Sequence, residues 1–143
     1  MSLDQTSESA YVAQLQDLLH DCVGSAPAEE ADRIREAADL LWPPLGAGPD
    51  WRGAIEAMLR AGACESAVLS LIGPETSFML SRGGSGSCLA AVVLPDGSEE
   101  MISQAATLAL AMLAAHISAQ IADLEGDSAA RSTGPLAVGM RLN

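Results

Sequence analysis

Apolar residues recur at three- and four-residue spacing through the first part of the chain. Tyr11, Val12, Leu15, Leu18, Leu19, Cys22 and Val23 predict an amphipathic helix over residues 8–23, ended by Gly24. Ser25 then caps a second helix with Pro27, Glu29 and Glu30 in its first turn, where fixed φ and negative charge suit the helix dipole. Its apolar side is Ala31, Ile34, Ala37, Ala38 and Leu41, and Pro43-Pro44 stop it after Trp42. Asp50 is the N-cap of a third helix bearing Trp51, Ala54, Ile55, Met58 and Leu59 on one side and Gly62 as its stop. Gly53 inside that helix costs ~1 kcal/mol against alanine. Trp42 and Trp51 flank the proline loop and are expected to pin it to the domain.

From residue 65 the pattern changes. Residues 66–72 read as a strand closed by Gly73-Pro74. Residues 76–82 read as a second, with Phe78 and Leu80 alternating against Ser77, Met79 and Ser81. Residues 88–94 are a continuous apolar run, which predicts a central strand buried on both faces. Pro95-Asp96-Gly97-Ser98 is the turn into a last helix over 99–124, capped by Asp96 or Ser98, with Glu99 and Glu100 in its first turn. No charge occurs from Met101 to Ala122. At 100° per residue Ser103, Gln104, Thr107 and Ser118 make one narrow polar stripe between two apolar sides. Ile102, Ala106, Leu110, Leu113, Ile117 and Leu124 form one side, and Met101, Ala105, Leu108 and Met112 the other. One side covers the sheet; the other must meet the N-terminal helices or a second copy. Residues 127–143 read as a flexible tail with a short apolar patch at 136–140.

The expected fold is α+β: a small antiparallel sheet of about three strands on a long C-terminal helix. An N-terminal helical segment, residues 1–64, belongs to the same domain as residues 65–126. A chain of 143 residues suits one such domain. Aromatic residues are only 3%, so aliphatic side chains and alanine must fill the core. The formal net charge is −12 and every cationic side chain is arginine. That balance excludes binding to a phosphate backbone or to an anionic membrane surface, both of which need a basic face. Three scattered cysteines with no CxxC pattern read as buried thiols of a reducing compartment, and no secretory leader is evident. The uncharged stretch, about 33 Å as a helix, is long enough to span a bilayer. Its internal polar residues and acidic flanks favour a buried helix instead, so the expected setting is cytoplasmic.

Candidate chemistry is sparse. Arg82-Gly83-Gly84-Ser85-Gly86 is the one glycine-rich loop, whose amides could cradle an anion. It joins two strands and has neither the lysine nor the following helix of a phosphate loop, so a hairpin connection is the simpler explanation. His20 and His116 are the only histidines. His116 falls near Gln120 in an apolar arc, where a ligand contact, an interface residue and a hydrogen-bonded core histidine are all open. Spacing assembles no Ser-His-Asp or Cys-His arrangement, no metal site and no cofactor site. Glu29, Glu30 and Asp32 are explained by a helix first turn. Met58, Met79, Met101 and Met112 suit gap-filling in an aromatic-poor core.

The strand-like run AVLSLI, the strand SFMLSR and then GSGSCLAAVVLPDG before an amphipathic helix resemble the C-terminal half of the roadblock/dynein light-chain family. The resemblance covers about a third of the chain. It implies a profilin-like, non-enzymatic homodimer that scaffolds or regulates a small Ras-like GTPase or another regulatory protein. The family places a strand pair between its two helices, whereas residues 24–64 read as helical here. The apolar arc left over on the last helix makes Met101, Ala105, Leu108, Met112 and His116 the expected interface. The same strands also resemble a shortened GAF-type sensory domain, which implies a small molecule bound over the sheet. A small acidic secretion chaperone would share the size and charge.

Overall fold

The computed structural model describes residues 2–44, 46–94, 97 and 99–133, with side chains placed between Ser7 and Gly126. Helix α1 spans Ser2–Gly24. A 3-10 turn, Pro27–Glu29, leads into α2, Glu30–Leu40, and Glu29 closes that start by accepting the Ala26 N–H at 2.8 Å. Helix α3 spans Trp51–Arg60. Asp50 holds the N-cap position there, but its carboxylate makes no capping bond; its carbonyl accepts the Ala54 N–H at 2.9 Å. The three N-terminal helices therefore stand where the apolar spacing placed them. The tryptophans divide: Trp51 is buried and donates Nε1–H to the Ser70 carbonyl at 2.9 Å. Trp42 is 81% exposed and pins nothing, contrary to expectation.

Two elements differ from the sequence reading. Residues 66–72 are not a strand but most of helix α4, Cys64–Ile72. Cys64, Ala67, Val68, Leu71 and Ile72 are its buried residues, a helical spacing that shows one face to the core. The predicted last helix is also two elements. Glu100–Ala105 is strand β3, and helix α5 runs Leu108–Thr133. Thr107 starts α5: its hydroxyl accepts the Leu110 N–H at 3.1 Å and its carbonyl the Ala111 N–H at 2.9 Å. The turn after residue 94 thus opens a strand, with Gly97 at φ +72° donating to the Leu94 carbonyl. Asp96 and Ser98 lie outside the described residues. The expected tail is helical as far as Thr133; the patch at 136–140 lies outside the described residues.

The sheet is an antiparallel meander in the order β1-β2-β3, with β1 at Phe78–Arg82 and β2 at Cys88–Val93. Its register pairs Phe78 with Val92 and Ala91 with Ile102. Side chains opposite one another share a face, so Cys88, Ala90, Val92, Met101 and Ala105 look inward. Helix α5 lies on that inner face against β2 and β3, and α1, α2 and α4 pack on α5 as well, with α3 outside α4. Every residue from Ala109 to Ile117 is buried, and four of those nine are alanines interrupting a row of larger side chains. The small side chains let neighbouring elements approach α5 closely on all sides. Both apolar sides of α5 are thereby covered by the chain itself. Fully burying each of Leu110, Leu113 and Ile117 contributes about 1.5–3 kcal/mol.

Ion pairs tie the outer helices. Arg35 of α2 grips Glu56 of α3 at 2.9 and 3.0 Å, and Arg52 of α3 meets Asp39 at 2.9 Å. These pairs are exposed and set orientation more than stability.

Candidate functional site

Among the described residues an open groove of about 550 Å³ lies between Pro44, Trp51, Leu69 and Phe78, and two other places combine accessibility with unused binding capacity. The first is the sheet away from α5. Met79, Ala91 and Ile102 stand directly opposite one another across the three strands, with Leu89 one pair away beside Ser81 and Gln104. Met79 is 72% exposed, Ile102 58% and Leu89 40%. Strand β2 is central as its apolar run predicted, but its outer face is only partly covered, with Ala91 buried and Leu89 exposed. Among the described elements β1 contacts only β2 and α5, which leaves its other edge unpaired. Val93 donates to the Ser77 carbonyl at 3.0 Å and Gly83 to that of Ser87 at 2.9 Å. By the alternation of an antiparallel ladder, Phe78, Leu80 and Arg82 then turn their N–H and C=O groups outward.

The second is a cavity of about 450 Å³ at the opposite end of the sheet from the Arg82 hairpin. Its walls come from Ser77 and Val92 at the sheet's end, Leu94 and Gly97 in the β2–β3 connection, and His116 and Gln120 of α5. His116 is 6% exposed, and burial pushes its imidazole down to about 4. It is therefore neutral at pH 7. Nδ1 is sealed from solvent and has no hydrogen-bond partner.

The residues singled out from sequence are distributed between these places and the core. Met101 and Ala105 belong to β3 and face inward; Leu108, Met112 and His116 belong to α5. The five do not form one helix face, because the strand–helix break at Thr107 falls among them. Met112, Ala105 and His116 are buried within the chain. The glycine-rich loop is the β1–β2 hairpin. Gly83 N–H goes to Ser87 and Gly86 N–H to the Gly83 carbonyl at 3.2 Å, with Gly86 at φ +88°. Those two amides are spent on the turn itself rather than held open for an anion. His20 is exposed on α1, remote in sequence from the cavity. The methionines do not converge: Met112 is buried, Met79 is on the outer face, and Met58 accepts from Ser70 at 3.6 Å. No group of three or more potential metal ligands occurs among the described residues.

Sequence reasoning missed the outer-face row and the bare edge. The available signal was Met79 and Leu89, large apolar residues on the opposite pleat from Leu80 and Ala90. Leu108–Gly126 is long and apolar enough to cross a membrane, but its first turns are packed between the sheet and the other helices. Compared with known proteins, the chain matches no protein family, no curated sequence and no solved structure. The segment AVLSLI, with which the roadblock resemblance begins, is helix α4.

Proposed function

We propose that this chain is a non-enzymatic, dimeric regulatory or scaffold module. Two copies join β1 to β1 into one six-stranded sheet, and the outer face of that sheet docks a protein partner. The observation that carries this is the unpaired β1 edge. Its sequence FMLSR has no proline and no acid, all five residues are exposed, and its one charge, Arg82, stands at the strand's end, so little along it blocks pairing. Antiparallel pairing centred on Leu80 is self-complementary. It sets Phe78 opposite the second copy's Arg82, a cation–π geometry, and adds about six backbone hydrogen bonds. On a chain of charge −12, this edge also brings no two acids together. Six backbone bonds at about 0.5–1.5 kcal/mol each, less an association cost of at least ~4 kcal/mol, leave at most about 5 kcal/mol, a weak dimer with a dissociation constant of about 0.2 mM or above.

The outer face, with Met79, Leu89 and Ile102 exposed, fits a partner that brings an apolar patch rimmed by basic side chains. A small Ras-like GTPase is the partner class implied by the roadblock resemblance. Three free, buried thiols suit a reducing cytoplasm as the setting. Light scattering on the purified chain is expected to approach twice the 14.7 kDa monomer mass as the concentration is raised to about 1 mM. Leu80→Pro removes an outward N–H, leaves the β1–β2 bonds in place, and is expected to give a monomer with unchanged circular dichroism. A parent chain that stays monomeric through that range sinks the idea.

A further inference from the structure

Helix α5 places one polar side chain, His116, among the buried residues 109–117. The position is an unusual one for a merely structural histidine. A core histidine ordinarily has both ring nitrogens hydrogen-bonded, whereas Nδ1 here is sealed and unpartnered. A neutral imidazole carries one donor and one acceptor nitrogen. An orphaned buried N–H is rarer than an orphaned acceptor, so the sealed Nδ1 is the bare nitrogen and the proton sits on Nε2. His116 lines the 450 Å³ cavity, so the ring offers that cavity a single N–H donor. The space equals that of about fifteen waters at ~30 Å³ each, within the range of small-molecule pockets.

The remaining walls define what fits. Val92, Leu94 and Ala119 are apolar, and Ser77 and Gln120 add neutral polar groups. Among the described residues lining the cavity, Glu75 is the one that carries a charge, and none is an arginine. An anion would meet a carboxylate with no compensating cation. A cation would meet the imidazole N–H, with only the exposed carboxylate of Glu75 to offset it.

We infer that the cavity beside His116 is a binding site for a small neutral molecule that pairs an apolar body with an acceptor oxygen, such as an amide or ketone carbonyl. The carbonyl accepts from the His116 ring, the body lies against Val92, Leu94 and Ala119, and an N–H or O–H on the ligand can reach Glu75. This site is separate from the β1 edge and does not depend on dimerisation.

Three near-isosteric probes test the charge class: benzamide, benzoate and benzamidinium. Imidazole ¹⁵N signals are followed by NMR during titration, with the exposed His20 as internal control. Benzamide is expected to shift the His116 signals saturably at millimolar concentration and leave His20 unmoved. Benzoate and benzamidinium are each expected to bind at least about tenfold more weakly, as loss of one buried hydrogen bond or an unpaired charge implies. Chain-wide amide shifts report binding to the variants. His116→Leu is expected to weaken benzamide about tenfold. His116→Gln, which keeps a donor, should stay within about threefold of the parent. Benzamide that fails to saturate, a charged probe that binds as well, or a Gln variant as weak as the Leu variant each overturns the site. The mass measurement on the sheet edge is unaffected by any of these outcomes.

Discussion

Replacing His116 by leucine should make the protein more stable, and increasingly so as the pH falls. At pH 7.5 the histidine is neutral, and its sealed Nδ1 forgoes a hydrogen bond that water supplies in the unfolded chain. An orphaned buried polar atom costs about 1–3 kcal/mol. A leucine removes that cost, and its imperfect match to the imidazole's shape takes back up to ~1.5 kcal/mol. A net gain of about 1 kcal/mol is expected, or about 3 °C in melting temperature for a chain of this size. Below pH 6.5 a second effect adds to it. The unfolded imidazole takes up a proton near 6.5, whereas burial holds the folded one at about 4. The unfolded state therefore binds more protons across that window, and the parent loses stability as the pH drops from 6.5 to 4. At pH 5 the loss from this group alone is about 2 kcal/mol, and the leucine variant is free of it. Urea unfolding at pH 7.5 and pH 5 measures both quantities, provided the m-values match. The reasoning fails if the variant is the less stable protein at pH 7.5, or if its advantage does not widen by pH 5.

Two further substitutions and a labelling experiment probe the packing. Gly73→Ala meets a double obstacle, since Gly73 sits at φ +89° and an added Cβ would lie 2.6 Å from Pro44 Cβ. It should cost about 2–3 kcal/mol in urea unfolding. Gly62→Ala, at φ +79° with nothing within 4 Å, should cost only about 1 kcal/mol. Equal losses would show that the approach to Pro44 is irrelevant. Burial raises the Cys22 thiol to about 12 and the Cys64 thiol to about 11, and Cys88 is buried as well. A thiol reagent at pH 8 should find almost no reactive thiol in the native protein and three in urea. Rapid native labelling of any of them would contradict the packing around α1, α4 or β2.

Much of this architecture was legible as spacing. Leu15, Leu18 and Cys22 announce one face of α1, and Ile34, Ala37 and Ala38 one face of α2, because helices half-buried against a core keep a 3.6-residue period. Strands β1 and β2 were found for the parallel reason of alternation and turn residues. The errors share a different cause. Helix α4 is nine residues long and rich in Val, Leu and Ile, a length and composition that suit a strand equally well. Its helical period becomes visible only when the small residues Cys64 and Ala67 are counted as core. Strand β3 was hidden because MISQA, after Glu100, runs without a charge into α5, and Ser103, Gln104 and Thr107 also satisfy a helical stripe. Thr107 held the missing signal, a capping residue in what looked like the middle of a helix. The cavity could not be read at all: Ser77 and His116 meet only through the packing of α5 beneath the sheet.

The burial of α5 also bears on how the protein comes to exist in a cell. Leu15, Leu18 and Cys22 of α1 are sealed partly by a helix that begins at Leu108, the last of the described elements in chain order. At 5–20 residues per second, α1 waits about 4–17 s between leaving the ribosome's active centre and the first residues of its partner. Throughout that interval the nascent chain presents the inner faces of α1, α2 and α4 and the strands of the sheet without the element that joins them. A translational pause before residue 108 would lengthen this vulnerable stage, and a chaperone bound to the nascent chain would shelter it.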